Sequence, residues 1–251
     1  MENKKKMIFN VLFLFLVFAA TIYGVFHGED LSEIAEILKT VNSYWLLPGV
    51  ACVIIFIWGE SIIIFYMMHT LGIHLKKWKC FLFSSVGFFF SCITPSATGG
   101  QPAQIYYMKK DKLPIPVTTL VLMIVTITYK AVLVLIGILL WIFGKGFLTG
   151  YLGQYMWVFY LGVALNVFCV SFMMILVFAP GLAKWLMVKG MKLLEHFRFL
   201  KPRKSRLEKL ENSMDQYHAT AAFWAGHKLV ILKVFLITFV QRIILFTVTY
   251  W

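Results

Sequence analysis

Five runs of this chain are long and apolar enough to cross a bilayer: residues 7–26, 44–68, 117–143, 155–178 and 229–251. A crossing helix needs about 20 predominantly apolar residues. Residues 7–26 carry no charge at all. The composition agrees, at 61% hydrophobic and 14% charged. A soluble domain of this length would need a charged surface that the chain cannot supply. The sequence therefore predicts an all-α polytopic membrane protein. The basic-then-apolar start also fits a signal peptide, but its apolar run is long for one and no clear small-x-small site follows. An uncleaved first helix is the better reading.

Residues 80–93 are apolar and uncharged but too short to cross comfortably. The segment after them, TPSATGGQPAQIYYM at 94–108, is rich in helix-breaking and polar residues. Positive charges test where this pair sits, because cytoplasmic loops collect Lys and Arg. Lys4, Lys5 and Lys6 put the N-terminus in the cytoplasm. Residues 27–43 carry four acidic residues and one lysine, and belong outside. Lys76, Lys77 and Lys79 precede the short run, and Lys109, Lys110 and Lys112 follow the polar segment. A single crossing between these clusters would strand one of them outside. Residues 80–108 are therefore expected to dip in and return as a re-entrant hairpin. Residues 179–228, with ten Lys and Arg, then fall inside as basic cytoplasmic or interfacial helices. Within them, residues 182–200 read as an amphipathic helix at the inner leaflet, with Leu182, Leu186, Leu193, Phe197 and Leu200 on one face. Residues 207–228 read as a solvated helix, and residues 144–154 as an outer loop. This map places all of the net charge of +13 in topology and lipid attraction. No nucleic-acid motif accompanies it.

Irregular backbone at membrane depth needs a polar cavity, since each unsatisfied backbone group in lipid costs several kcal/mol. Pro95 ends the entering helix, and Gly99 and Gly100 permit a turn and a close backbone approach. Thr94, Ser96, Thr98, Gln101 and Gln104 bring uncharged donors and acceptors, and Pro102 suits the start of a returning helix. The N–H groups at that start would suit an anionic group such as a phosphate. The plainer reading of the same residues is a cytoplasmic loop between two short helices.

Three ionisable residues within the runs favour the cavity. Each costs about 2.5–3.5 kcal/mol on insertion scales and usually faces protein or water. Glu60 lies about 12 Å from the cytoplasmic end of its run, and Lys130 and Arg242 about 20 Å from theirs, at about 1.5 Å per residue. One negative and two positive charges leave a surplus positive charge that a lipid phosphate would complete. A structural ion pair with one snorkelling base is the alternative. The four cysteines, Cys52, Cys80, Cys92 and Cys169, are widely spaced and read as small buried side chains. No metal or nucleotide motif occurs, so no cofactor is expected.

The stretch TPSATGGQPAQIYYMKK at 94–110, preceded by VGFFFSCI, resembles the membrane domain of the lysylphosphatidylglycerol synthase/flippases. This is the membrane half of the multiple peptide resistance factor proteins. The cytoplasmic KLENSMDQYHATAAFW is similar to that family's charged helix between spans. The Gly-Gly-Gln-Pro form looks like the Gram-positive variant. Many relatives carry Gly-Glu and Arg in this region, and no role of those charges passes to Gln101 or Gln104.

The resemblance implies a flippase-like domain in the bacterial cell membrane, translocating an aminoacylated phospholipid such as lysyl-phosphatidylglycerol and lowering sensitivity to cationic antimicrobial peptides. The expected partners are an anionic or aminoacylated phospholipid and a separate synthase domain or a second copy of the chain. Phosphatidylglycerol lysyltransferase activity and a transport-free scaffold are the alternatives. Residues 1–251 form one membrane domain, and further spans beyond Trp251 are expected from the family pattern.

Overall fold

The computed structural model describes residues 43–94, 97–179 and 204–250, with a few isolated positions besides. Apart from Leu16, Ala19, Tyr23 and Leu182, which are helical and exposed, the first expected span, the acidic loop after it, Pro95, Ser96 and the amphipathic face at 182–200 lie outside the described residues. What is described is helical, with no strand among the described residues. The helices are α1 (Ser43–Thr70), α2 (Lys77–Ile93), α3 (Gly100–Lys110), α4 (Ile115–Phe143), α5 (Lys145–Leu152), α6 (Met156–Phe178), α7 (Lys204–Gly226) and α8 (Lys228–Thr247). Single 3₁₀ turns precede α6 and follow α8. Among the described residues, four stretches can cross a membrane by length and composition: α1, α4, α5 continued into α6, and α8. The chain is an all-α polytopic membrane protein.

Local chemistry sets the boundaries. After α1, Gly72 adopts φ +77. The Gly72 N–H then donates to the His69 carbonyl at 2.9 Å, and the Ile73 N–H to the Met68 carbonyl at 2.9 Å. This paired closure satisfies carbonyls that a helix end leaves open. α3 ends the same way, with Lys112 at φ +63 and the Leu113 N–H reaching the Met108 carbonyl at 3.1 Å. A non-glycine residue there costs about 1–2 kcal/mol, and Pro114 next in line prevents the helix from continuing. Within the spans, Thr118, Thr126, Thr128 and Thr238 return their hydroxyls to carbonyls three or four residues earlier. They remain satisfied without water.

α2 and α3 pack side by side as a helical hairpin, and an ion pair from Lys79 Nζ to Asp111 Oδ1 at 3.0 Å joins its two ends. α8 runs antiparallel to α1. Gln241 Nε2 donates to the Phe56 carbonyl at 2.7 Å, and Cys52 Sγ lies 3.8 Å from Thr247 Oγ1. α6 runs back along α4, with Trp141 Nε1 donating to Tyr160 Oη at 3.2 Å. It buries only Val177.

The core gathers at one end of the bundle. Ile63, Ile64, Met67 and Met68 of α1 meet Cys80 and Phe83 of α2, Met108 of α3, Leu120 and Val121 of α4, and Val234 of α8. α7 joins them, which corrects the expectation of a solvated helix over 207–228. Met214, Tyr217, Ala221 and Trp224 are buried in that core. Their spacing of three, four and three residues is one helical face. Tyr217 Oη also donates to the Leu176 carbonyl at 3.1 Å, tying α7 to the last turn of α6.

Three smaller expectations also change. The segment 144–154 contains α5 rather than a plain loop, and Phe147 packs at a tilt against Tyr151 there, with ring centroids 4.7 Å apart. α2 begins at Lys77, a turn before the apolar run. Of the four cysteines only Cys80 is buried, and Cys92 is exposed.

Candidate functional site

The tip of the hairpin is built by the residues that break it. Thr94 is extended, at φ −114 and ψ 142, the conformation that a following proline favours. Its hydroxyl donates to the Phe90 carbonyl at 2.6 Å and accepts the Gly99 N–H at 2.9 Å. One side chain thereby ties the end of α2 to the start of α3. Ala97, between them, is held at φ +55. Such strain concentrates where a fold shapes a site.

Small residues let the two helices close. A Cβ on Gly100 would lie inside Ser91 Oγ and 2.6 Å from the Gly87 carbonyl oxygen. A Cβ on Gly87 would overlap the Gln104 amide. Gly100→Ala is therefore expected to force α2 and α3 apart and to cost about 1–3 kcal/mol. A lowered unfolding temperature in detergent would show it, and an unchanged one would mean the hairpin tolerates separation.

Because Gly87 leaves a notch, Gln104 is 4% exposed and its Nε2 reaches Glu60 Oε1 on α1 at 2.6 Å. Gln101 donates through Nε2 to Thr126 Oγ1 of α4. Both contacts lie in the middle of the long helices. Glu60 is about 15 Å from the end of α1 and Thr126 about 16 Å from the start of α4, at about 1.5 Å per residue.

These contacts border a cavity of about 320 Å³ between α1, the hairpin tip, α4 and α8. Arg242 enters it from α8. Its guanidinium carbon lies 3.6 Å from the Tyr129 ring centroid and 4.7 Å from that of Phe56. A desolvated guanidinium over an aromatic face gains about 2 kcal/mol. The buried Arg242 Nε has no hydrogen-bond partner among the described residues. Nor does any ion pair within 4.0 Å join Arg242 to Glu60. The cavity thus holds one carboxyl group and one guanidinium that form no ion pair with each other. A guanidinium with a buried, unmatched N–H is suited to an anionic oxygen. The Glu60 carboxylate, with one oxygen engaged by Gln104, keeps acceptor capacity for a cation or donor.

Of the residues singled out in the sequence, Glu60, Gly100, Gln101, Gln104 and Arg242 line this cavity together. Thr94 and Gly99 form the turn beneath it. Thr98 and Pro102 are exposed at that turn and in the first turn of α3. Pro95 and Ser96 lie outside the described residues. Lys130 is half-buried on α4 and is not among the lining residues, so the cavity lacks the second cation. Its neighbour Tyr129 faces the cavity instead. Phe56, Gly87, Ser91, Thr126 and Tyr129 were not anticipated. Gly87 could have been, as a small residue inside an aromatic run marks a close helix approach.

The family model described as the lysylphosphatidylglycerol synthase TM region matches residues 7–251. No curated protein and no solved structure matches the chain.

Proposed function

The chain belongs to the lysylphosphatidylglycerol synthase transmembrane-region family, and from that premise we propose that it translocates an aminoacylated phospholipid, such as lysyl-phosphatidylglycerol, across the bacterial cell membrane. Its role is a membrane-lipid one. The observation that carries the finer reading is the mid-depth cavity in which Glu60 and Arg242 face the same space without pairing. A lysyl-phosphatidylglycerol headgroup has the complementary charges. Arg242 holds its phosphate through a charge-assisted bond, and Glu60 takes an ammonium. The phosphate and one of the two lysyl ammoniums are then compensated away from water, which lowers the desolvation cost that blocks unassisted crossing. Gln101, Gln104 and Thr126 supply uncharged bonds to the glycerol and ester groups, while the acyl chains remain in lipid.

In this reading the α2–α3 hairpin is re-entrant, enters from the cytoplasmic side and carries the polar tip to mid-membrane. The N-terminus is cytoplasmic. A separate synthase domain supplies the lipid on the inner leaflet, and its outward passage reduces the negative surface charge that attracts cationic peptides. Movement is passive or ion-coupled.

The test is leaflet-resolved labelling in proteoliposomes containing lysyl-phosphatidylglycerol, with an amine reagent that cannot cross the bilayer. Faster labelling of the inner-leaflet pool than in protein-free vesicles is the expected result. Equal labelling, with the protein shown to be folded, would overturn the proposal.

A further inference from the structure

Two apolar grooves flank α1 on the side away from the central cavity. One, of about 410 Å³, runs between α1 and α8 and is lined by Ile62, Phe65, Tyr66, Lys233, Leu236 and Ile237. The other, of about 310 Å³, is bounded by Trp58, Ser61, Ile62, Phe65 and Lys77. Ile62 and Phe65 border both, so they form a ridge with a groove on either side. The ridge continues to Trp58, which is 58% exposed. From Phe65 to Trp58 the helix rises about 10 Å, within the roughly 15 Å of hydrocarbon in one leaflet.

Each groove has one cation at the same end of the bundle. Lys233 is in the second turn of α8, and Lys77 opens α2. The Lys77 ammonium sits 5.9 Å from the Phe65 ring centroid, above the ridge. No acidic residue lines either groove. Among the described residues neither lysine has a carboxylate partner, whereas nearby Lys79 is paired with Asp111. Two adjacent apolar channels topped by two unneutralised cations are complementary to one kind of molecule in a bilayer. It has two hydrocarbon chains and one negative headgroup.

We propose that these grooves bind a single anionic diacyl phospholipid astride the Ile62–Phe65 ridge, one acyl chain in each groove and the phosphate between Lys77 and Lys233. The site is separate from the central cavity. Glu60 and Phe56 lie on the opposite face of α1, so binding here does not depend on translocation there. The long lysine stems lie along the apolar surface while the ammonium groups reach headgroup level. Each lysine near an anionic headgroup contributes a several-fold gain in affinity.

The purified full chain in detergent, titrated with dioleoyl-phosphatidylglycerol and followed by native mass spectrometry, tests this. Its phosphate is the lipid's only charge. One tightly held lipid per chain is expected, retained over dioleoyl-phosphatidylcholine of the same chain length. The pair Lys77→Gln and Lys233→Gln is expected to weaken it about thirtyfold, and either change alone about fivefold. The pair Lys109→Gln and Lys110→Gln, on exposed cations outside the grooves, keeps the wild-type affinity. Equal weakening by the two pairs would reduce the effect to diffuse electrostatics and overturn the site. So would equal affinity for the phosphatidylcholine, or full retention of the anionic lipid by the Lys77 and Lys233 pair.

Discussion

Replacing Arg242 by alanine is expected to slow exposure of lysyl-phosphatidylglycerol in proteoliposomes by about 10- to 150-fold. That range is one charge-assisted hydrogen bond, about 1.5–3 kcal/mol, converted to a rate. The change removes the one basic residue lining the cavity, and with it the group that would hold the phosphate. Insertion should not suffer, because removing a cation from a span makes the span more apolar. Arg242→Lys separates charge from shape. It restores the positive charge but not the planar group stacked 3.6 Å from the Tyr129 ring centroid, so an intermediate rate is expected. Alanine and wild-type rates within twofold of each other would remove Arg242 from the translocation path, even if the chain still moved lipid.

Trp224→Ala should produce the largest loss of stability. Trp224 is fully buried, although α7 lies outside the candidate spans. Truncating a buried tryptophan costs about 3–5 kcal/mol, equivalent to a fall in unfolding temperature of roughly 6–20 °C for a chain of this size. Trp224→Phe is a sharp comparison. The indole N–H is buried without an acceptor among the described residues, so phenylalanine loses some volume but also removes an unsatisfied donor, and these effects oppose each other. Differential scanning fluorimetry in detergent should find the phenylalanine variant close to wild type. A shift below about 2 °C for the alanine variant would mean that α7 contributes little to the core.

What sequence reasoning reached and what it missed divide along a physical line. Run length and charge count depend on residue type alone, and they located α1, α4, α6 and α8 and the break at residues 94–100. Glu60 and Arg242 stood out for the same reason, since an ionisable residue in an apolar run is costly wherever its helix points. Rotation about the helix axis is another matter. α4 is apolar nearly all round, so nothing in it fixes which side faces the cavity. Lys130 drew attention by its charge, while Tyr129, one residue and about 100° away, lines the cavity. α7 failed for the opposite reason. Met214, Tyr217, Ala221 and Trp224 mark a face, but the charges among residues 204–215 dominate the average. Gly87 and Gln104 could be recognised as partners only after α2 and α3 were placed side by side.

The lopsided core has a mechanical consequence. Val132 of α4 apart, the fully buried side chains of α1, α2, α4, α7 and α8 lie toward one end of the bundle, while Phe56, Tyr129, Arg242 and Leu245 lie farther along their helices and border empty space. A close-packed region resists deformation, because its side chains have no room to slide. Compliance therefore belongs to the opposite end. Small tilts of α1, α4 and α8 about the packed end are magnified with distance along their axes, widening or narrowing the cavity without breaking the core. The same lever explains why the Thr94 staple and the Gly87–Gly100 approach matter: they keep the hairpin tip stiff against walls that can flex, so changes in cavity width come from the long helices.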